Sequence, residues 1–213
     1  MISLSRLLAL GAAASVGLAA WTGSARAQTS SAPVAPDALM KAVTSEVIAI
    51  LRRDVAASQP TKVADLVETK ILPLFDFPRM TRIAAARNWR LASPVQQETL
   101  TAGFRTLLVR TYSVALSNYR DELIEYLPLR AARGDTEVTV RSTVRRPGAE
   151  RVNIDYSMED TPAGWKVYDI TIAGVSLVIN YRSTFAALVR DSGVDGLIKS
   201  LQEKNRSGGS GGG

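Results

Sequence analysis

The stretch EVTVRSTVRRPGAERVNIDYSMEDTPAGWKVYDITI, residues 137–172, decides the fold. Val138, Val140, Ser142 and Val144 alternate with Glu137, Thr139, Arg141, Thr143 and Arg145, the period of two that marks a strand with one apolar face. Pro147-Gly148 signals a hairpin, and Val152, Ile154, Tyr156 and Met158 then alternate with Asn153, Asp155 and Ser157. Pro162-Ala163-Gly164 signals a second turn, followed by Trp165, Val167, Ile170 and Ile172 in looser alternation. Leu123 to Arg130 reads as a further strand. The expectation is an antiparallel meander of about four strands with one oily face.

Working outward, the period changes to that of a helix. Pro36-Asp37 opens a segment with Leu39, Val43, Val47, Ile50 and Leu51 on one face, fading near Ser58-Gln59-Pro60. A second helix is expected from Thr61 to Leu72, stopped by Pro73, and a third near Arg79 to Arg87 after the connector Phe75-Asp76-Phe77-Pro78. Ser93-Pro94-Val95-Gln96 combines an N-cap serine, a proline at the first helical position and a glutamine placed for a capping box. The helix it opens carries Leu100, Phe104, Leu107, Leu108, Thr111, Tyr112, Ala115, Leu116 and Tyr119 in steps of three and four. Two helices, near Ser176 to Asp191 and Gly193 to Asn205, close the chain. Helices followed by a one-sided sheet make an α+β protein. The expected assembly lays the long helix and the helix after Ser176 across the apolar sheet face, forming a cup that is either filled or hollow.

The 213 residues include 26 Lys+Arg and 20 Asp+Glu, with no Cys and no His. That length suits one sizeable domain. The missing residue types exclude a Ser-His-Asp triad, a cysteine nucleophile, a Cys/His zinc site and any disulfide. Residues 1–27 read as a secretory signal: Arg6, the apolar run Leu7 to Ala20, and Ala25-Arg26-Ala27 as an A-x-A cleavage site before Gln28. The run falls short of the about 20 apolar residues of a comfortable span. Cleavage removes Arg6 and Arg26, leaving 24 basic against 20 acidic side chains, or +4. That balance suits anionic partners such as lipid headgroups or acidic protein faces, and no nucleic-acid recognition motif is present. Residues 28–36 form a Ser/Pro/Ala-rich lead and residues 207–213 a flexible Gly/Ser tail, which leaves 37–206 as the domain.

Few groups remain for chemistry. Gly174-Val175-Ser176 opens like a nucleophile elbow, but Val178 stands where the last glycine belongs and no histidine could activate the serine. Ser176 is read instead as a helix N-cap. Tyr168-Asp169 and Asp155-Tyr156 offer a phenol beside a carboxylate, yet strand neighbours point to opposite faces and cannot share a pocket. Core packing accounts for Tyr156 and Trp165, a solvated face for Asp155, and a turn cap toward Gly174 for Asp169. Arg182 either runs along the surface or faces a phosphate at a cavity mouth. Arg141, Arg145, Arg146 and Arg151 form the polar side of a hairpin or a dock for an acidic partner.

Specific blocks then resemble a known family. They are Ile71-Leu72-Pro73 with Phe75-Asp76-Phe77 and Met80, Trp89-Arg90, Phe104 with Leu107, Leu108 and Thr111-Tyr112, Val138-x-Val140-Arg141-Ser142, Gly164-Trp165-Lys166-Val167-Tyr168-Asp169, and Gly174-Val175-Ser176-Leu177-Val178 with Asn180-Tyr181-Arg182 and Phe185. Together they resemble the MlaC family, also called Ttg2D or toluene-tolerance proteins, from about Asp37 to Asn205. One departure is that the family often has Gly shortly before the Trp89 motif, where this chain has Ala85 and Ala86.

The resemblance implies an NTF2-like curved sheet with helices enclosing an apolar cavity, and a periplasmic phospholipid carrier with no cofactor, metal or catalytic residue. It implies glycerophospholipid as ligand. The implied partners are an inner-membrane ABC transporter complex with its MlaD component and the outer-membrane lipoprotein MlaA with a porin, in a pathway serving outer-membrane lipid asymmetry. On that reading Val138, Val140, Ile154, Tyr156, Met158 and Val167 are expected to line the cavity from the strands. Leu108, Tyr112 and Leu116 complete it from the long helix, and Val175, Val178 and Tyr181 from the segment after the sheet. Arg182 would sit at the mouth near the headgroup, and Arg141, Arg145, Arg146 and Arg151 would dock a partner. The competing expectations are an NTF2-like enzyme using Tyr and a carboxylate, which needs a buried acid facing the cavity, and an adaptor with a filled cup.

Overall fold

The computed structural model describes residues 34–55, 67–117, 122–146, 148 and 150–207, with side chains for all of these except 51–55 and 113–117. The signal segment 1–27, residues 28–33 of the lead and residues 208–213 of the tail lie outside the described residues. Helix α1 (Pro36–Val55) comes first, then a π-helical turn (Val67–Ile71) that tightens into a 3-10 turn (Leu72–Leu74). Next come α2 (Phe77–Ala85), 3-10 turns over Ala86–Leu91, and α3 (Pro94–Ser117). The strands are β1 (Leu123–Tyr126), β2 (Glu137–Arg145), β3 (Val152–Thr161), β4 (Gly164–Ile172) and β5 (Val175–Ser176), followed by a 3-10 turn (Ile179–Tyr181) and α4 (Arg182–Ser207). The class is α+β, as the sequence predicts. All pairings are antiparallel, and the strands lie in chain order.

Several expectations need correction. The sheet has five strands, because Val175 and Ser176 pair back onto Ile172 and Thr171. Pro73 sits inside the 3-10 turn instead of ending a helix, since its fixed φ suits the first positions of a helical turn. The third helix starts two residues early, at Phe77, because Asp76 caps it: the Arg79 amide donates to Asp76 Oδ1 at 2.7 Å. The two closing helices form as read, the first starting at Arg182 instead of near Ser176 and the second running on to Ser207, with the break at Gly193, whose φ of 69° only glycine adopts cheaply. The capping box of α3 forms as read, with the Ser93 amide donating to Gln96 Oε1 at 2.9 Å and the Gln96 amide to Ser93 Oγ at 3.3 Å.

The loose alternation of the fourth strand has a physical cause. Ser157 pairs with Asp169 but Met158 pairs with Val167, so Tyr168 is the extra residue of a β-bulge. The bulge keeps Val167 and Trp165 on the same face as Ile170 and Ile172. That face therefore reads in rows across the strands: Val138–Met158–Val167, Val140–Tyr156–Ile170, Tyr126–Ser142–Ile154–Ile172–Val175, and Ile124–Val144–Val152.

Two apolar cores result. The helical core joins Phe77, Met80 and Ala84 of α2 to Leu100, Phe104 and Leu108 of α3 and to Phe185, Val189, Leu197 and Leu201 of α4. Phe104 meets Phe185 edge-on at 5.2 Å between ring centroids. The sheet core joins Val138, Val140, Met158 and Val167 to Met40 of α1. Phe75 packs against both, pairing with Val167, and the adjacent Asp76 amide donates to Val167 O at 2.9 Å. Leu100, Phe104 and Leu108 of the long helix thus join the helical core, and the sheet's buried rows are covered by α1 and Phe75, contrary to the simple cup.

Candidate functional site

The inner sheet face is not uniformly covered. Val140, Met158 and Val167 are at most 1% exposed and Val138 8%, sealed by Met40, Leu39 and Phe75. One row onward the sealing fades. Ile154, Ile172, Val144 and Ile124 are only half-buried, and Val152 and Val175 are 36% and 56% exposed, while Ser142 between them is 1% exposed. An apolar row of aliphatic side chains that the described core does not cover costs free energy in water unless something oily lies on it.

A groove lies between α1 and β1. It holds about 390 Å³ and is lined by Lys41, Thr44, Ser45 and Ile48 of α1 and Ile124 and Tyr126 of β1. The Thr44 and Tyr126 hydroxyls share a hydrogen bond of 2.6 Å, and the Tyr126 hydroxyl donates to Met40 O at 3.2 Å. Ser142 is directly across the ladder from Tyr126, and its hydroxyl donates to Ile154 O at 3.2 Å. Burial pushes the Tyr156 phenol well above its ordinary value, with Tyr126 adding to the effect, and burial raises Tyr126 too. These phenols stay neutral, as hydrogen-bonding groups in an apolar wall.

The residues predicted to line the cavity fall into two groups. Val138, Val140, Met158 and Val167 lie in the sheet core, and Tyr156 packs against it. Ile154 lies on the open half beside Ile172, and Val175 ends that row at the far edge. Leu108 and Val178 lie in the helical core, with Tyr112 and Tyr181 packed against it. Burial raises the Tyr112 phenol, with the neighbouring Tyr181 adding to the effect. Leu116 is in the stretch 113–117 of α3, whose side chains lie outside the described residues. The groove residues that the sequence reading left out are Ile124 and Tyr126 on the sheet and Lys41, Thr44, Ser45 and Ile48 on α1. Alternation already put Ser142, Val144, Ile170 and Ile172 on the apolar side.

The charged residues have identifiable partners. Arg182 donates to Ile83 O at 3.3 and 3.4 Å, satisfying the carbonyl end of α2. Arg145 pairs with Glu125 at 2.8 Å, and Arg146 pairs with the buried Glu122. Arg141 and Arg151 form no ion pair among the described residues. Asp169, a buried acid within β4, accepts from Ser176 Oγ at 2.5 Å and the Val178 amide at 3.2 Å, while Ser176 Oγ accepts from the Ile179 amide at 2.9 Å. These bonds fold the chain from β5 into α4. Tyr168 donates to Glu137 Oε2 at 3.0 Å on the opposite sheet face, beneath Arg79. Among the described residues no group of acidic side chains could hold a metal ion.

A half-sealed oily sheet with a polar-lipped groove is the geometry of a protein that handles apolar ligands. The family model described as MlaC protein matches residues 41–203. The chain belongs to the MlaC family. It is 43% identical to the phospholipid-binding protein of Ralstonia solanacearum solved in complex with a phospholipid, covering 81% of this chain and 98% of that one with a TM-score of 0.74. It is also similar to the intermembrane phospholipid transport system binding protein MlaC of Haemophilus influenzae, 21% identical over 83% of this chain and 85% of that protein. The toluene tolerance protein ttg2D of Pseudomonas putida is 23% identical over 75% of each.

Proposed function

We propose that this chain is a periplasmic phospholipid carrier, exported by cleavage of residues 1–27. It carries glycerophospholipid between the outer-membrane lipoprotein MlaA with its porin and the MlaD component of an inner-membrane ABC transporter complex, which sustains outer-membrane lipid asymmetry. Among the described residues no helix is long and apolar enough to cross a membrane. The observation that carries the reading is the open, aliphatic half of the sheet face in a chain 43% identical to a protein solved with a phospholipid.

The physics of the task fits this surface. Each CH₂ exposed to water costs about 0.8 kcal/mol, so roughly thirty of them in two tails cost about 24 kcal/mol. A carrier must replace the bilayer with an apolar wall of its own. The step is an exchange between two oily sites, and no catalytic group takes part. The buried carboxylates do not favour the enzyme reading: Glu122 is held by Arg146 and Asp169 by Ser176 and the Val178 amide. Arg141 and Arg151, with Arg145 and Arg146 beside them, form the basic edge that meets an acidic partner.

The test is organic extraction and mass spectrometry of protein purified from the periplasm. One phospholipid per chain is the expected result. Protein that carries no lipid and takes none from vesicles overturns the reading.

A further inference from the structure

The two most exposed large aliphatic side chains among the described residues are four apart: Leu91 at 67% and Val95 at 71%. They flank the Ser93 cap of α3; Pro94 is also exposed, and Trp89 is half-buried. The turn that carries them is held in place. Ala92 is buried in the helical core, Gln97 Nε2 donates to Trp89 O at 3.1 Å and to Ala92 O at 3.2 Å, and Gln96 Nε2 donates to Asp195 Oδ1 at 2.6 Å. The charge around the turn has one sign. From Phe77 to Gln97 the chain has four arginines and no acid. Arg79 is engaged by Glu137 and Glu159. Arg82, Arg87 and Arg90 are exposed and form no ion pair among the described residues. Arg87 and Arg90 are three apart in 3-10 turns, where side chains at that spacing eclipse, so both leave the same edge. The next acid along the chain is Glu98, exposed within α3.

We propose that this turn docks the protein on an anionic bilayer, with Leu91 and Val95 entering the headgroup layer and Arg87 and Arg90 meeting its phosphates. The charge is complementary, and the apolar pair supplies what a purely electrostatic contact lacks. A bilayer fits better than an acidic protein face, because a soft interface accepts projecting aliphatic side chains without a matching pocket. Trp89 beside them is of the residue type that settles at headgroup level. The inference goes beyond the carrier reading and does not depend on it. Leu91 and Val95 belong to the connection between α2 and α3, whereas the open aliphatic rows are on the sheet.

The chain has no cysteine, so Leu91→Cys and, at the open edge of the sheet, Val175→Cys each accept a single environment-sensitive dye. The labelled proteins are titrated with vesicles of phosphatidylcholine, or of equimolar phosphatidylcholine and phosphatidylglycerol, carrying nitroxide lipids as quenchers. The dye at Leu91 should shift to the blue and be quenched on the anionic vesicles, less so as salt rises. Unlabelled protein is sedimented with the same vesicles. Arg87→Gln combined with Arg90→Gln should weaken its binding about 25-fold, about fivefold for each cation at an anionic surface. Leu91→Asn combined with Val95→Asn should weaken it as well, and both variants should keep the lipid that wild type retains. Quenching at Val175 without quenching at Leu91 overturns the proposal, as does unchanged affinity in both double variants. A shift at Leu91 that soluble polyaspartate reproduces assigns the turn to an acidic protein and also overturns it. Loss of the retained lipid in either variant would put the turn in the lipid site, with the same result. Protein that holds no lipid yet docks through Leu91 removes the carrier reading alone.

Discussion

The two halves of the inner sheet face use the same kind of residue to opposite ends. Val138, Val140, Met158 and Val167 are sealed by Met40, Leu39 and Phe75. Ile154, Ile172, Val144 and Val152, on the same strands and the same face, keep part of their surface open. Hydrophobicity alone does not separate them. The difference lies in what packs on top: α1 and the Phe75 connector cover the rows nearer Val138, and the described residues leave the rows nearer Val144 less covered. One half serves stability, and we assign the other to the ligand.

The largest expected effect is on the sealed half. Met158→Ala removes a fully buried side chain and should cost about 2–5 kcal/mol, read as a lowered urea midpoint at unchanged slope. If the loss is below about 1 kcal/mol, this half is not the sheet's structural core. The sealed half is also pinned from behind. Arg79 of α2 pairs with Glu137 at 2.8 Å and with Glu159, and its guanidinium lies 3.7 Å over the Tyr168 ring. This clamp holds α2, and with it Phe75, against the sheet. Arg79→Ala should cost about 1–3 kcal/mol, between the values for exposed and fully buried pairs.

The same clamp sets a pH dependence. Hydrogen bonds from Arg79 and then Tyr168 hold the Glu137 carboxyl below its ordinary value. A depressed folded-state value means that the contribution is fully present above the unfolded value, about 4.3, and is lost as pH falls through the folded value. Wild-type stability should therefore fall more steeply with acid below about pH 5 than that of Glu137→Gln. Parallel acid limbs would remove Glu137 from the account.

The open half should answer differently. Ile154→Asp places a charge among half-buried neighbours, so the lipid-free protein should lose only about 1–2 kcal/mol. Lipid co-purification should disappear. A variant that keeps its lipid would show that Ile154 is core and not lining, and the contrast between the halves would have to be redrawn around Ile172 and Val144.

Much of this arrangement was legible in the sequence, and the limits have physical reasons. Period two gave the strands and their inner face, and the Ser93–Gln96 box gave the start of α3 because capping is local chemistry. The bulge at Tyr168 was visible only as imperfect alternation, since a single extra residue shifts the phase without changing composition. What the pattern could not supply was the cover. Leu108, Tyr112, Val178 and Tyr181 have the same periodicity whether they face the sheet or the helical core, and only tertiary packing chooses. The groove was hidden for a related reason: Lys41, Thr44 and Ser45 are on the polar side of α1 in sequence, and their meeting with Tyr126 spans more than 80 residues.

The smallest expected effect lies between the two cores, where α2 passes into the Trp89 turns. Ala86 has φ 51° and ψ −127°, a conformation that L residues other than glycine adopt only under strain. α2 ends at Ala85, itself buried, and the chain turns at Ala86, whose amide still makes the helical bond to Arg82 O. Ala86→Gly relieves the strain but gives the unfolded chain more freedom, so the gain is a difference of two terms, about 0.5–1 kcal/mol. Thermal melting of the lipid-free protein should show it as a rise of a few degrees, and the lipid retained should not change. Glycine that lowers the melting point would mean that the turn is not strained, and that the alanine contributes through its packing beside α4.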